Sequence, residues 1–223
     1  MKKTKEIRNI LIGLLLGDGT ISSNNVFKLS HSEKLLEYLQ WKIDLLNKCG
    51  FKNNGLKEYV STCGYNTGKR VYYTQLKVTP FIKVLRRVFY KPKKIIGNRK
   101  LLNRLGAIGV AIWYMDDGCI NFRKTGDKIH GFYIRISTCL PEKELQIIID
   151  YFAEVWDVHF YKISEGKGTY SLCCGATEGI KFINIVKPYV EQVPSMMYKI
   201  TYNLSHRTNN CSSKQIAETG DTQ

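Results

Sequence analysis

The stretches LIGLLLGDG (residues 11–19) and VAIWYMDDG (residues 110–118) share one plan: an apolar helix, then an aspartate, then a glycine. The two aspartates, Asp18 and Asp117, lie 117 − 18 = 99 residues apart in a chain of 223. Neither helix has a polar face, and a helix that is hydrophobic all round is buried all round. The simplest burial is one against the other, at the interface between two halves of the chain. Gly13 and Gly17 are four residues apart, so they share a face and permit close backbone approach. Ala111, Ile112 and Met115 are expected opposite them, large against small. If the pair is related by a pseudo-twofold axis, the C-terminal ends emerge together and Asp18 stands next to Asp117.

A carboxylate at a helix C-terminus faces the negative end of the dipole, and two of them together also repel each other. Stability does not recommend the arrangement, but a divalent cation reverses the sign of the argument. Hard Mg²⁺ takes carboxylate oxygens, water and phosphate. Main-chain carbonyls left unpaired at the helix ends, those of Gly17 and Asp116, are expected to add ligands. Metal held there would activate water and stabilise the leaving oxygen in phosphodiester hydrolysis. A single Gly-Asp-Gly is an ordinary turn. Its recurrence at the end of a second apolar helix, within a matching repeat, raises it above that.

The repeat extends through the chain. After the first motif come a short extended stretch, a turn at SSNN, VFKLS, and a helix over residues 32–48. Ser30 and Glu33 have capping-box spacing at that helix's start, and Gly50 suits its end. LKEYVS and VYYTQLKV flank a turn at NTGK, and Pro80 opens a second helix that stops before Pro92. After Asp117 the same order returns as CINFR, FYIRIST, EKELQIIIDYFAEVW, VHFYKIS, TYSLCC and TEGIKFINIVKPYV. Each half reads helix, two strands, helix, two strands, helix. The organisation expected is an N-terminal repeat over residues 1–92, a linker over 93–108, a C-terminal repeat over 109–211 and a polar, disordered tail over 212–223.

Composition fits this reading. Hydrophobic residues make up 43% and aromatics 12%, so the chain is globular. Lys plus Arg is 34 against 19 acids, giving +15 and favouring a polyanionic partner, with nucleic acid first. No apolar run is long enough for a membrane span, and no small-residue cleavage site follows the basic N-terminus. The seven cysteines include no CxxC pair, which indicates reduced thiols in a cytoplasmic or organellar matrix protein that is not secreted.

The two stretches resemble the paired motifs of LAGLIDADG homing endonucleases, and the chain resembles the single-chain, two-repeat branch of that family. WYMDDG, KPKKII and PSMMYKI support the likeness, which covers about residues 7 to 205. The first motif departs from the family name by carrying Leu16 where the name has its first Asp. The resemblance implies an α+β, pseudo-twofold duplicated αββαββα fold whose two four-stranded antiparallel sheets form a DNA-binding saddle. It implies a monomer that makes Mg²⁺-dependent double-strand breaks across the minor groove of a long site, leaving short 3′ overhangs. The metal would be two or three divalent ions, with Mn²⁺ able to substitute. By match to the motif, Asp18 and Asp117 are the metal ligands. In this branch a lysine from each repeat sits near the metals; Lys94 and Lys199 fall at matching places, with Lys93 a near-equal rival to Lys94.

Strand alternation indicates which residues face a duplex. Lys28 and Ser30 oppose Phe27 and Leu29; Tyr133 and Arg135 oppose Phe132, Ile134 and Ile136; Tyr73, Gln75 and Lys77 form a third set, unless a bulge shifts the register. Lys69, Arg70, Arg123, Lys124, Lys128 and Lys167 lie in or beside turns and suit phosphate contacts. The alternatives are an RNA maturase or a catalytically inactive DNA-binding protein of the same fold, and, in a different class, a structural or RNA-chaperone protein with no site and no metal dependence. The lack of a splicing-domain extension favours a free-standing or intron-encoded enzyme over an intein.

Overall fold

The computed structural model describes residues 2–62, 67–91, 93–126 and 128–202. Residues 63–66 in the first predicted hairpin, Pro92 at the expected repeat boundary, Asp127, and residues 203–223 with the polar tail lie outside the described residues.

Helix α1 (Lys2–Leu16) leads into strands β1 (Thr20–Ile21) and β2 (Phe27–Ser32), helix α2 (Leu36–Lys48), strands β3 (Lys57–Val60) and β4 (Arg70–Leu76), and helix α3 (Pro80–Phe89). A short helix, α4 (Arg99–Leu102), lies in the connection. The order then repeats as α5 (Ala107–Asp117), β5 (Gly118–Thr125), β6 (Lys128–Pro141), α6 (Glu142–Trp156), β7 (Tyr161–Gly166), β8 (Thr169–Gly175) and α7 (Ala176–Val190). The strands form two four-stranded antiparallel sheets, ordered β1-β2-β4-β3 and β5-β6-β8-β7. This is the α+β duplication that the sequence predicts.

Local chemistry explains several boundaries. The Thr79 hydroxyl accepts the Ile82 N–H at 3.2 Å, and Pro80 occupies the first turn of α3 without sacrificing a hydrogen bond. Gly50, at φ +87°, ends the turn after α2 as expected. The capping box at Ser30 and Glu33 does not form. Ser30 is paired with Tyr73 inside β2, and a 3-10 turn over Glu33–Leu35 precedes α2. Register with β4 keeps Ser30 in the ladder, and this outweighs a local cap.

The centre is the α1–α5 pair. Asn9 Oδ1 accepts the N–H groups of Gly106 (2.8 Å) and Gly109 (3.1 Å), so one helix caps the start of the other. Further along, Gly13 meets Gly109, and Gly17 meets Asp116. The contacts advance together along both helices, so their C-terminal ends emerge side by side. The expected facing of Gly13 by Ala111, Ile112 and Met115 is therefore corrected: the crossing is glycine on glycine. Those bulkier residues instead fill the surrounding core, where Ala111, Ile112 and Met115 are all essentially inaccessible. Both sheets close over this core through Phe27, Leu29 and Leu76 on one side and Phe132, Ile134, Ile136 and Leu172 on the other. The described cysteines, Cys49, Cys119, Cys139, Cys173 and Cys174, are all free thiols.

A Cβ at Gly13 would stand 2.5 Å from the Gly109 carbonyl oxygen and 2.6 Å from its Cα. Gly13→Ala should therefore force the helices apart and cost about 1–3 kcal/mol, measured by chemical denaturation. Gly131→Ala, with open space at the site, should stay within about 0.5 kcal/mol of the parent. Equal effects would mean that the crossing is not tight.

Candidate active site

Asp18 lies just beyond α1, and Asp117 is the last residue of α5. The Asp18 side chain is 48% exposed, while Asp117 is half-buried. Both carboxyls are pushed up. For Asp18 the largest cause is lost hydration and the next is Asp116. Asp117 rises to about 7, first through lost hydration, then through Asp18 and Asp116, against the pull of Lys94 and a hydrogen bond from Trp113. That bond runs from the indole N–H to Asp117 Oδ2 at 3.1 Å.

Lys94 and Lys199 come to equivalent places. After α3 the chain folds back through a bridge between Tyr90 and Lys94. Lys94 Nζ then donates to the carbonyls of Gly17 (2.7 Å) and Gly19 (3.3 Å). Lys199 ends the 3-10 turn Pro194–Lys199; its amine donates to the Met115 carbonyl and, at 3.5 Å, to that of Asp116. The Tyr114 hydroxyl donates to the Lys199 carbonyl at 2.6 Å and ties this turn to α5. Burial lowers the pKa of both lysines, against the pull of the aspartates. Lys93, the rival to Lys94, is exposed. The Gly17 and Asp116 carbonyls are thus not left unpaired, contrary to expectation: a cation at the negative end of each helix has satisfied them. Each carbonyl keeps a second lone pair.

Three side chains stand beside Asp18: Asp116, which the sequence reading named only for its carbonyl, and Lys42 and His31, which it missed. The Asp116 side chain is fully buried; Oδ2 accepts the Asp18 N–H at 3.0 Å and Oδ1 accepts from Lys42 Nζ at 2.5 Å. Lys42, equally inaccessible, also lies 2.9 Å from His31 Nε2 and 4.2 Å from the Tyr38 ring. Burial and the Lys42 charge depress His31 to about 3, so it is neutral at ordinary pH. An ammonium can only donate, so Nε2 accepts and Nδ1 carries the proton, 3.7 Å from Asp18 Oδ2. Asp18, His31 and Asp116 each offer a ligand atom within 4.8 Å of the others. The signal was visible: Lys42 lies on the buried stripe Leu39, Ile43, Leu46, and His31 alternates inward with Phe27 and Leu29.

The donor set fits a hard divalent cation. The charge of Asp18 helps to push up Asp117, while the nearby amines engage carbonyls rather than the carboxylates of Asp18 and Asp117.

The sheet residues divide by face. Lys28, Ser30, Tyr73 and Gln75 lie away from the core, as Lys28↔Gln75 and Ser30↔Tyr73 cross-strand pairs, with Lys28 Nζ 5.0 Å and 4.7 Å from the Tyr59 and Tyr73 rings. Tyr133 and Arg135 share the outward face of β6; Arg123 stacks near Tyr133 at 5.9 Å, and Arg135 is ion-paired with Glu165. Arg70 opens β4, 3.8 Å from Glu58, with Lys69 just before it, and Lys77 is exposed just past the strand. Lys124 and Lys128 flank the β5–β6 turn, where a bulge follows Arg123, and Lys167 sits in the β7–β8 turn at φ 53°.

Paired helices, twin sheets and facing aspartates together define a LAGLIDADG protein, and the chain belongs to the LAGLIDADG DNA endonuclease family, whose model matches residues 8–182. Its fold is similar to that of a solved structure titled "The homing endonuclease I-WcaI bound to its DNA recognition sequence", with a TM-score of 0.75 and 21% identity over 90% of this chain and 88% of that one. It is also 30% identical over 204 residues to "Protein RecA" of Mycobacterium shimoidei and 28% identical over 206 residues to that of Mycobacterium leprae. Each likeness takes in 86% of this chain but only 45% and 27% of those relatives, so the chain spans less than half their length.

The raised carboxyl predicts a pH effect. A group whose pKa is higher folded than unfolded destabilises the folded state as pH rises between the two values, here from about 4 to about 7. In metal-free buffer, Asp117→Asn should therefore gain stability over the parent on the order of 1 kcal/mol at pH 8 and much less at pH 4, read by denaturation at both. A pH-independent difference would remove the strained carboxyl.

Proposed function

We propose that the chain is a site-specific DNA endonuclease that makes divalent-metal-dependent double-strand breaks. The observation that carries this is the pair Asp18 and Asp117, two carboxyls with raised pKa at adjoining helix ends, with half-buried Lys94 and buried Lys199 on the carbonyls beside them. Asp18 and Asp117 would hold the metal, Mg²⁺ or Mn²⁺, with second lone pairs of the Gly17 and Asp116 carbonyls available to it. Bound metal would lower the pKa of a water and offset charge on the leaving oxygen. Lys94 and Lys199, fixed by carbonyls, place positive charge where a scissile phosphate gains negative charge.

The domain reading is two repeats, residues 1–92 and 109–211, each lending one sheet to a saddle on duplex DNA. Lys28, Ser30, Tyr73, Gln75, Lys77, Tyr133 and Arg135 would meet the groove, and Lys69, Arg70, Arg123, Lys124, Lys128 and Lys167 the phosphates. Glu165 pairs with Arg135 and restrains its guanidinium. The setting proposed is intron homing in a cytoplasmic or organellar matrix; among the described residues no helix is long and apolar enough to cross a membrane.

Incubation with a mixed-sequence DNA library and Mg²⁺, followed by sequencing of new ends, tests the activity; no recurrent cleavage site would reject it. Asp18→Asn and Asp117→Asn should each abolish double-strand breaks while target binding persists; full cleavage by both would remove these residues from the mechanism. Lys94→Met or Lys199→Met should lower the single-turnover rate on the order of ten- to a hundredfold with little change in affinity. A loss of affinity at unchanged saturated rate would make them phosphate anchors only.

A further inference from the structure

The two repeats are not equal at their centre. The residue before Asp117 is Asp116, and the residue before Asp18 is Gly17. A Cβ at Gly17 would overlap the Asp116 side chain, so the glycine makes room for it. Asp116 reaches across the repeat interface and bonds the backbone of Asp18, not that of its own repeat. Behind it Lys42, from α2 of the first repeat, supplies a fully buried countercharge, and His31 Nε2 accepts from the same ammonium, 3.8 Å from Asp116 Oδ1. Among the described residues no equivalent brace reaches Asp117. That residue is still helical, and its carboxylate is held by Trp113 on its own helix. The buried stripe of α6 (Leu145, Ile148, Tyr151, Phe152) carries no charge where α2 carries Lys42.

Asp18 needs such a brace more than Asp117 does. It stands beyond the last residue of α1 with glycine on both sides; Lys94 and the end of α1 hold those glycines, but not Asp18 itself. Its N–H has no intrahelical partner and is taken by Asp116. Replacing a buried ion pair by an apolar filling is often neutral or stabilising. A fully buried lysine–aspartate pair whose free oxygen faces one backbone N–H therefore has its use in geometry.

We infer that Asp116, neutralised by Lys42, is a positioning residue for Asp18, so that cleavage of one DNA strand depends on it and cleavage of the other does not. This rests on the endonuclease reading above. Two double variants separate the acceptor from the charge. Lys42→Met/Asp116→Asn keeps an oxygen for the Asp18 N–H; Lys42→Met/Asp116→Ala removes it; neither leaves a lone buried charge. Single-turnover cleavage is followed on each strand separately, together with DNA affinity and hydrogen exchange of the Asp18 amide.

In the alanine double variant one strand should slow on the order of tenfold to a hundredfold more than the other, nicked plasmid should accumulate, and affinity should hold. The asparagine double variant should restore the balance between strands. The Asp18 amide should be protected in the parent and the asparagine variant, and unprotected in the alanine variant. Equal slowing of both strands, or identical behaviour of the two variants, would overturn the inference. So would an unprotected Asp18 amide in the parent, whether or not the variants fold. If the parent cleaves no DNA the endonuclease reading fails, and amide exchange alone then decides whether Asp116 positions Asp18.

Discussion

Gly13 and Gly109 let two helix backbones touch, and the rest of the molecule is arranged around that contact. With Cβ atoms at these points, α1 and α5 would separate, and Asn9 would no longer reach the start of α5. Their C-terminal ends would diverge, and with them the aspartates, the lysines that hold the terminal carbonyls, and the sheets that follow directly from each helix. The crossing also fixes a shared core, since both sheets bury their inner faces against this pair.

Charge at the centre is divided by role. Lys94 and Lys199 answer the negative ends of the helices, and Lys42 answers Asp116. Among the described residues no ammonium pairs directly with the carboxylates of Asp18 and Asp117, and both keep a raised pKa. A site prepared for a divalent ion needs this condition: if lysines had salt-bridged the aspartates directly, the ligands would already be spent.

The duplication, both motif helices and the α+β class were legible because period and repetition are properties of the sequence. Helix α6 was legible to its boundaries, since Pro141 opens it and apolar spacing persists to Trp156. The glycine crossing was misread: 3.6-residue spacing places Gly13 and Gly17 on one face but says nothing about which residue of a distant helix lies opposite. Ser30 and Glu33 have cap spacing, yet pairing with β4, a non-local interaction, claims Ser30 for the strand. Lys42 and His31 were overlooked for a related reason. A polar residue on an apolar stripe announces burial, but its partner, Asp116, is 74 residues away and only the folded chain brings it near.

The Gly17–Asp116 contact also limits how alike the two halves can be. A chain made from two copies of the first half would place glycine against glycine there, leaving Lys42 without its carboxylate and the Asp18 N–H without an acceptor. A chain made from two copies of the second half would drive one Asp116 side chain into the space another already fills. The divergence of these two repeats is thus in part a packing requirement at the midpoint, and a symmetrised chain would have to change the residues there.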